Sequence, residues 1–291
     1  MGTKFKDLNL NSSFLFAAAL NDPETCQIVL ELILGRTIPK VNVKTEHNIL
    51  LSSDAKCVRL DVNARSEYDV NYNIEAQNND ENNIVRRSRY YQAELDVSEL
   101  KPGDDYNKLP DSYVIFICTF DPFGRGLYRY TFVERCEEDG EKLGDGTCKI
   151  FLSTKGKNKE EVPKELITFL GYFEDSTDEY VEKTDNKSIH KLHEKIVTLK
   201  KSREWEEGYM KFEELLLQQR KNGHSEGLCL GVYNSIIKVL SKKGEVTDYI
   251  KERLEMETNV DVLNMWLEKA LDAATVDEFA DALFQKELLI K

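Results

Sequence analysis

Asp61 and Glu75 each lie in a stretch where apolar and polar residues alternate, the pattern that lets a hairpin carry two carboxylates on one face. In residues 57–65, Val58, Leu60, Val62 and Ala64 fall on one side and Arg59, Asp61, Asn63 and Arg65 on the other. In residues 70–77, Val70, Tyr72, Ile74 and Ala76 point inward while Asn71, Asn73, Glu75 and Gln77 point outward. The short link Ser66-Glu67-Tyr68-Asp69 makes the pair a hairpin. With the turn centred on Tyr68, Asp61 stands opposite Glu75, their Cβ atoms about 5 Å apart. Facing carboxylates repel unless a cation lies between them. A divalent ion is one such cation, and hard oxygen ligands are what Mg²⁺ or Mn²⁺ accepts. The plainer reading is the wet face of a half-exposed hairpin, its carboxylates neutralised by Arg59 or Arg65.

Cationic residues follow directly. Arg86-Arg87-Ser88-Arg89-Tyr90-Tyr91 opens a polar, aromatic helix expected over residues 83–95. Helical spacing sets Arg86 over Arg89 and Tyr90, and Arg87 over Tyr91. Such a face can grip phosphates beside an acidic centre. It can equally be a solvated face paired with Glu94 or Asp96. Lys155, Lys157, Lys159 and Lys164 offer a second basic patch, or simply solvated loop lysines.

The elements that must position these residues are legible on either side. Asp22-Pro23-Glu24 has the form of a helix start, with a capping carboxylate and a proline at the first helical position, and Gly35 supplies the stop. Ile28, Val29, Leu32 and Ile33 form its apolar stripe, and a shorter helix precedes it over residues 13–20. Strands are expected at 41–46, 57–65, 70–77, 113–120, 127–133 and 147–152, with a short helix at 164–173. The run from Tyr113 to Phe120 is continuously apolar, as in a strand buried on both faces. After Asp175 the pattern is helical throughout. Trp205, Met210, Phe212, Leu215 and Leu216 suggest one long amphipathic helix, which Asn222-Gly223-His224 is expected to break. The expectation is an α/β domain over 1–175, a mixed central sheet flanked by helices, followed by an all-helical C-terminal region over 176–291.

Composition limits the alternatives. A chain of 291 residues with 41% hydrophobic and 10% aromatic content can form a real core. Its apolar runs are too short to span a membrane and it shows no signal core, which makes the cytoplasm the expected location. Six scattered cysteines without a CxxC pair read as reduced thiols, and Cys136 with Cys148 is the pair best placed to meet across a hairpin. His190 and His193, three apart on a helix, read as surface residues. A net charge of −13 at pH 7 opposes broad nucleic-acid binding, though not a local basic stripe.

An Asp late in one strand, then Glu-x-Gln in its partner, then a helix, resembles the PD-(D/E)XK nucleases. The ordered segments Asp7-Leu8-Asn9-Leu10, Phe14-Leu15-Phe16, Val58-Arg59-Leu60-Asp61-Val62 and Tyr72-Asn73-Ile74-Glu75-Ala76-Gln77 carry the likeness. So do Arg87-Ser88-Arg89-Tyr90-Tyr91, Gly103-Asp104-Asp105-Tyr106 and the stretch from Val114 to Phe123. Within that superfamily the chain is similar to the bacterial recombination-promoting nuclease and transposase group. The resemblance implies a restriction-endonuclease-like fold and a Mg²⁺- or Mn²⁺-dependent DNA endonuclease tied to recombination, mobile elements or defence. It implies Asp61, Glu75 and Gln77 as catalytic residues, with Asp61, Glu75 and the Ala76 carbonyl as metal ligands. Arg86, Arg87, Arg89 and Tyr90 would contact DNA. Gln77 stands where the superfamily usually has lysine, and its amide does not titrate. Asn11-Ser12-Ser13 stands where the group carries acids, with Asp7 or Glu31 as substitutes. These departures support the alternative of a catalytically impaired relative acting as a binding or regulatory module. Cutting two strands suits a homodimer, and the helical region suits a protein partner.

Overall fold

The computed structural model describes residues 3–44 and 62–284. Helix α1 spans Ser13–Leu20 and α2 spans Pro23–Leu34. Asp22 caps α2 by accepting from Thr25 N at 3.1 Å, and Gly35 closes it in the left-handed conformation, φ 67°. The strands are β1 Val41–Lys44, β2 Val62–Ser66 and β3 Val70–Gln77. Then come α3 Ile84–Glu99, β4 Asp111–Cys118, β5 Arg129–Phe132 and β6 Thr147–Ser153. Helices α4 Lys164–Glu174, α5 Asp178–Glu182, α6 Lys187–Lys200 and α7 Arg203–Leu240 follow. The last three are α8 Asp248–Glu255, α9 Val260–Asp272 and α10 Val276–Phe284.

The six strands form one mixed sheet in the order β1-β2-β3-β4-β6-β5. The β1–β2, β2–β3 and β5–β6 pairs are antiparallel, while β3–β4 and β4–β6 are parallel. Parallel neighbours need a crossover, and α3 supplies the one from β3 to β4. The apolar run of β4 sits at the centre as its composition predicts, with Val114 through Cys118 fully buried. Val114, Phe116 and Cys118 pack with Ile84 and Tyr91 of α3. Tyr72, Ile74, Ile115 and Ile117 point to the opposite side and are buried too. Helix α1 packs against β3 and α2 against β1. This is the expected mixed sheet flanked by helices.

That coverage corrects one expectation. The polar side of β3 was expected to face water, but α3 lies over it, so Asn71, Asn73 and Gln77 are 4%, 2% and 8% exposed. Buried amides survive there because they are hydrogen-bonded. Asn73 Nδ2 donates to Asn63 Oδ1 at 3.0 Å, and Asn71 Nδ2 to Glu99 Oε1 at 3.0 Å.

The chain divides into compact units over residues 1–210 and 211–291. In the second, Ile236, Leu240, Ile250, Leu254, Leu263, Trp266 and Phe279 form the core. Lys243 donates from Nζ to the carbonyls of Ala270, Leu271 and Ala273 at 2.7, 2.6 and 2.5 Å, which caps the C-terminus of α9. Contrary to the turn signal in Asn222-Gly223-His224, α7 runs unbroken through it. Gly223 is not among the residues with positive φ, and an Asn-Gly pair ends a helix only by adopting that conformation. A helical glycine costs about 1 kcal/mol relative to alanine, which a long helix can absorb. Among the described residues, no helix is long and apolar enough to cross a membrane.

Two smaller expectations are settled nearby. Cys26, Cys118, Cys136, Cys148 and Cys229 are free thiols; Cys57 lies outside the described residues. His190 is exposed, but His193 faces inward: its Nδ1 meets the buried Tyr172 hydroxyl at 3.0 Å and its Nε2 meets Asp178 at 2.7 Å.

Candidate active site

The β2–β3 hairpin sets the frame. Asp69 takes a left-handed φ of 64°, the conformation that three-residue hairpin loops use at their last position. Its N–H donates to the Ser66 carbonyl at 3.0 Å, and Val70 N donates to Ser66 Oγ at 3.2 Å. The register that follows pairs Val62 with Ile74, Asn63 with Asn73 and Ala64 with Tyr72. This is the register that a turn centred on Tyr68 predicts. Asp61 and Arg59 lie outside the described residues. Arg65 does not neutralise Glu75: it pairs with Asp69 and, at 2.6 Å, with Glu99.

Glu75 and Gln77 share the α3-facing side of β3, with Phe116 and Cys118 beside them in β4. Arg87 comes down from α3 onto both. Its guanidinium forms an ion pair with Glu75, and Nη1 donates to Gln77 Oε1 at 3.1 Å. From the same group Nε and Nη2 donate to the Tyr91 hydroxyl at 3.3 and 3.1 Å, as the four-residue spacing anticipated. The guanidinium carbon lies 5.6 Å from the ring centres of both Tyr91 and Phe116. The two side chains are 23% and 13% exposed for Arg87 and Glu75, so the pair is largely withdrawn from water. Burial works against the Arg87 charge, but Glu75 and the Tyr91 hydroxyl more than offset it and leave the pKa above the usual arginine value.

Gln77 is held at both ends of its amide, since Nε2 also donates to the Asn79 carbonyl at 2.7 Å. It therefore fixes Arg87 and the loop after β3. The Gln77 carbonyl accepts from Thr119 N at 3.1 Å, on the β4 side. Carbonyls alternate along a strand, so that of Ala76 faces the β2 edge. Carboxylates gather at this end of the sheet. Burial raises the Cys118 thiol pKa, and Glu75, Asp80 and Asp121 push it the same way. Glu81 Oε2 lies 4.0 Å from Arg87.

The remaining sequence candidates separate into two groups. Arg86, Arg89 and Tyr90 are exposed on the outer side of α3, as a DNA-contacting face requires. Arg87 instead turns inward, onto Glu75 and Gln77. Sequence reasoning placed it by its neighbours' charge. The signal that could have placed it is the stripe Ile84, Arg87, Tyr91 and Leu95, on which an apolar face continues through the arginine. Asn11 does lie beside the site, its carbonyl accepting from Asn78 Nδ2 at 2.7 Å. Glu31 is occupied elsewhere, accepting from Ile38 N at 3.0 Å.

Among the described residues, no three of His, Cys, Asp or Glu cluster as a metal site. The donors present are nonetheless of the right kind. The Glu75 carboxylate and the Ala76 carbonyl are hard oxygens on adjacent residues, a set that suits Mg²⁺ or Mn²⁺ over softer metals. Among the described residues, Arg87 is paired with Glu75.

Comparison with known proteins identifies the family. Searches of curated proteins and of solved structures gave no match. A family model described as PD-(D/E)XK nuclease family transposase matches residues 14–222, which take in the whole sheet, α3 and the helices through the first half of α7. Nucleases of this kind generally use divalent metal ions. The match covers well over half of the chain, so this protein belongs to the PD-(D/E)XK nuclease family transposases.

Proposed function

We propose that the protein is a Mg²⁺- or Mn²⁺-dependent DNA endonuclease acting in recombination, mobile-element or defence processes. The observation that carries this reading is the convergence of Glu75, Gln77 and Arg87 at the C-terminal end of β3. In the sequence pattern, a turn centred on Tyr68 is what places Asp61 opposite Glu75. Asp61, Glu75 and the Ala76 carbonyl are the groups that would hold the ion. When bound there, the ion would supply Lewis acidity, making a water more acidic and screening charge on the leaving oxygen. The chain's own groups do the rest. Arg86, Arg89 and Tyr90 hold the DNA backbone, and Gln77 positions Arg87 and the loop after β3. Their local positive charge lets an acidic chain approach DNA. A homodimer suits two-strand cleavage, and the helical second unit suits a protein partner.

A catalytically impaired binding module is the second reading. The Arg87–Glu75 pair favours it, because it engages the carboxylate that the metal needs. Plasmid nicking with Mg²⁺ and with Mn²⁺, comparing wild type with Asp61→Ala, separates the two. Cleavage that the substitution abolishes supports the nuclease, and cleavage that survives it removes Asp61 from the centre. No cleavage by either protein favours the impaired module.

A further inference from the structure

Arg87 does two things that a surface cation would not. It pairs with Glu75, the carboxylate assigned to the metal, and it bonds Gln77, the neutral residue beside it. A carboxylate that binds a dication holds a guanidinium less strongly, because the two cations compete for its charge. The two cations would stand a few ångströms apart, where repulsion at an effective dielectric near 20 amounts to several kcal/mol. Phosphoryl transfer meanwhile needs positive charge aimed at the non-bridging oxygens. Gln77 carries none. Arg87 is the cation among the described residues that touches this end of β3, and it has further N–H groups to offer. Its tether is also suited to a change of partner, because the Tyr91 hydroxyl holds Nε as well as Nη2.

Resting on the nuclease reading, we infer that Arg87 is the resident counter-cation of Glu75, that it yields Glu75 when a divalent ion binds, and that it turns to the phosphodiester to supply the charge Gln77 lacks. The pair is then a latch. It keeps Glu75 neutralised at low divalent-ion concentration, and its release places the catalytic cation. This also explains why an engaged Glu75 does not imply an inactive protein.

The test is Mn²⁺ binding by titration calorimetry at pH 8, well above the ordinary carboxylate range, on the full chain. Wild type, Arg87→Gln, Arg87→Lys and Glu75→Gln are compared, with folding checked by near-ultraviolet circular dichroism. Glu75→Gln should lose Mn²⁺ binding. Arg87→Gln should bind Mn²⁺ about tenfold tighter or more, equivalent to about 1.4 kcal/mol, yet nick plasmid at least about 100-fold more slowly. Adding Gln77→Lys to Arg87→Gln should recover at least about tenfold of that rate, which a purely structural role for Arg87 would not allow. Arg87→Lys, the milder change, should also bind Mn²⁺ more tightly than wild type, and it serves under the same criterion if Arg87→Gln fails to fold. Mn²⁺ affinity that is unchanged or weaker in Arg87→Gln would overturn the latch and leave Arg87 a positioning residue for Glu75. Mn²⁺ binding untouched by Glu75→Gln would instead overturn the metal site itself, and the latch with it.

Discussion

Arg87 of α3 pairs with Glu75 of β3 across a sheet face that the sequence pattern marks as solvent-facing, and it bonds Gln77 with the same guanidinium. That contact ties the crossover helix to the end of the strand, so one interaction serves the fold and the site together.

Removing one partner of this pair leaves the other charged in a largely buried place. Glu75→Gln and Arg87→Gln should each destabilise the first unit, by about 1–3 kcal/mol given their residual exposure. The double variant should lose less than the sum. Urea unfolding in a Trp266→Phe background leaves Trp205, which packs edge-on against Phe14 at 6.2 Å, to report on that unit.

The α2 cap has a pH signature. Burial raises the Asp22 pKa, but bonds from Thr25 and Lys195 outweigh it and hold the carboxyl below its ordinary value. A lowered folded-state pKa means that its contribution is present above about pH 4 and lost as pH falls through the folded value. Asp22→Ala should cost about 1 kcal/mol at pH 7. The gap from wild type should close in acid, as followed by urea midpoints between pH 7 and pH 3.

Lys243 should matter out of proportion to its position. It is the donor to three carbonyls at the end of α9, so Lys243→Met should destabilise the second unit by about 1.5–3 kcal/mol. Trp266 fluorescence in a Trp205→Phe background provides the readout.

Glycines in the middle of α7 offer the opposite sign. A Cβ added at Gly223 or Gly227 would meet nothing within 4 Å. Each glycine-to-alanine change should therefore gain about 0.5–1 kcal/mol of helix stability. Slower amide exchange across residues 217–228, all exposed on the helix, would show it.

Arg86 and Arg89 should act through phosphates. Replacing either with alanine should weaken binding to unrelated DNA sequences alike and lower the slope of log affinity against log salt by about one. Fluorescence anisotropy at several salt concentrations measures both.

Much of this architecture was legible in the sequence because it rests on local signals. The Asp22-Pro23 start and Gly35 stop give α2, and the apolar run through Ile115 and Ile117 gives the central strand. The hairpin register followed from the length of the Ser66–Asp69 link. What was hidden depended on which element covers which face. Alternation along β3 separates two sides but cannot say that α3 roofs the polar one, so Asn73 read as wet. The inward turn of Arg87 was hidden for the same reason, because the phase of α3 on the sheet is set by Ile84 and Tyr91 meeting Phe116. His193 looked like a surface residue until Tyr172 and Asp178, on other helices, were brought to it. Asn222-Gly223 reads as a turn, yet the helix on either side carries the chain through it.

The most direct test of the central assignment is supercoiled-plasmid nicking by wild type and Glu75→Gln purified in parallel, with Mg²⁺, with Mn²⁺ and with EDTA. The account predicts nicking by wild type with a divalent ion, none with EDTA, and a loss of at least about 100-fold in the variant. Nicking that persists in Glu75→Gln, or in EDTA, would contradict a metal-dependent centre at Glu75.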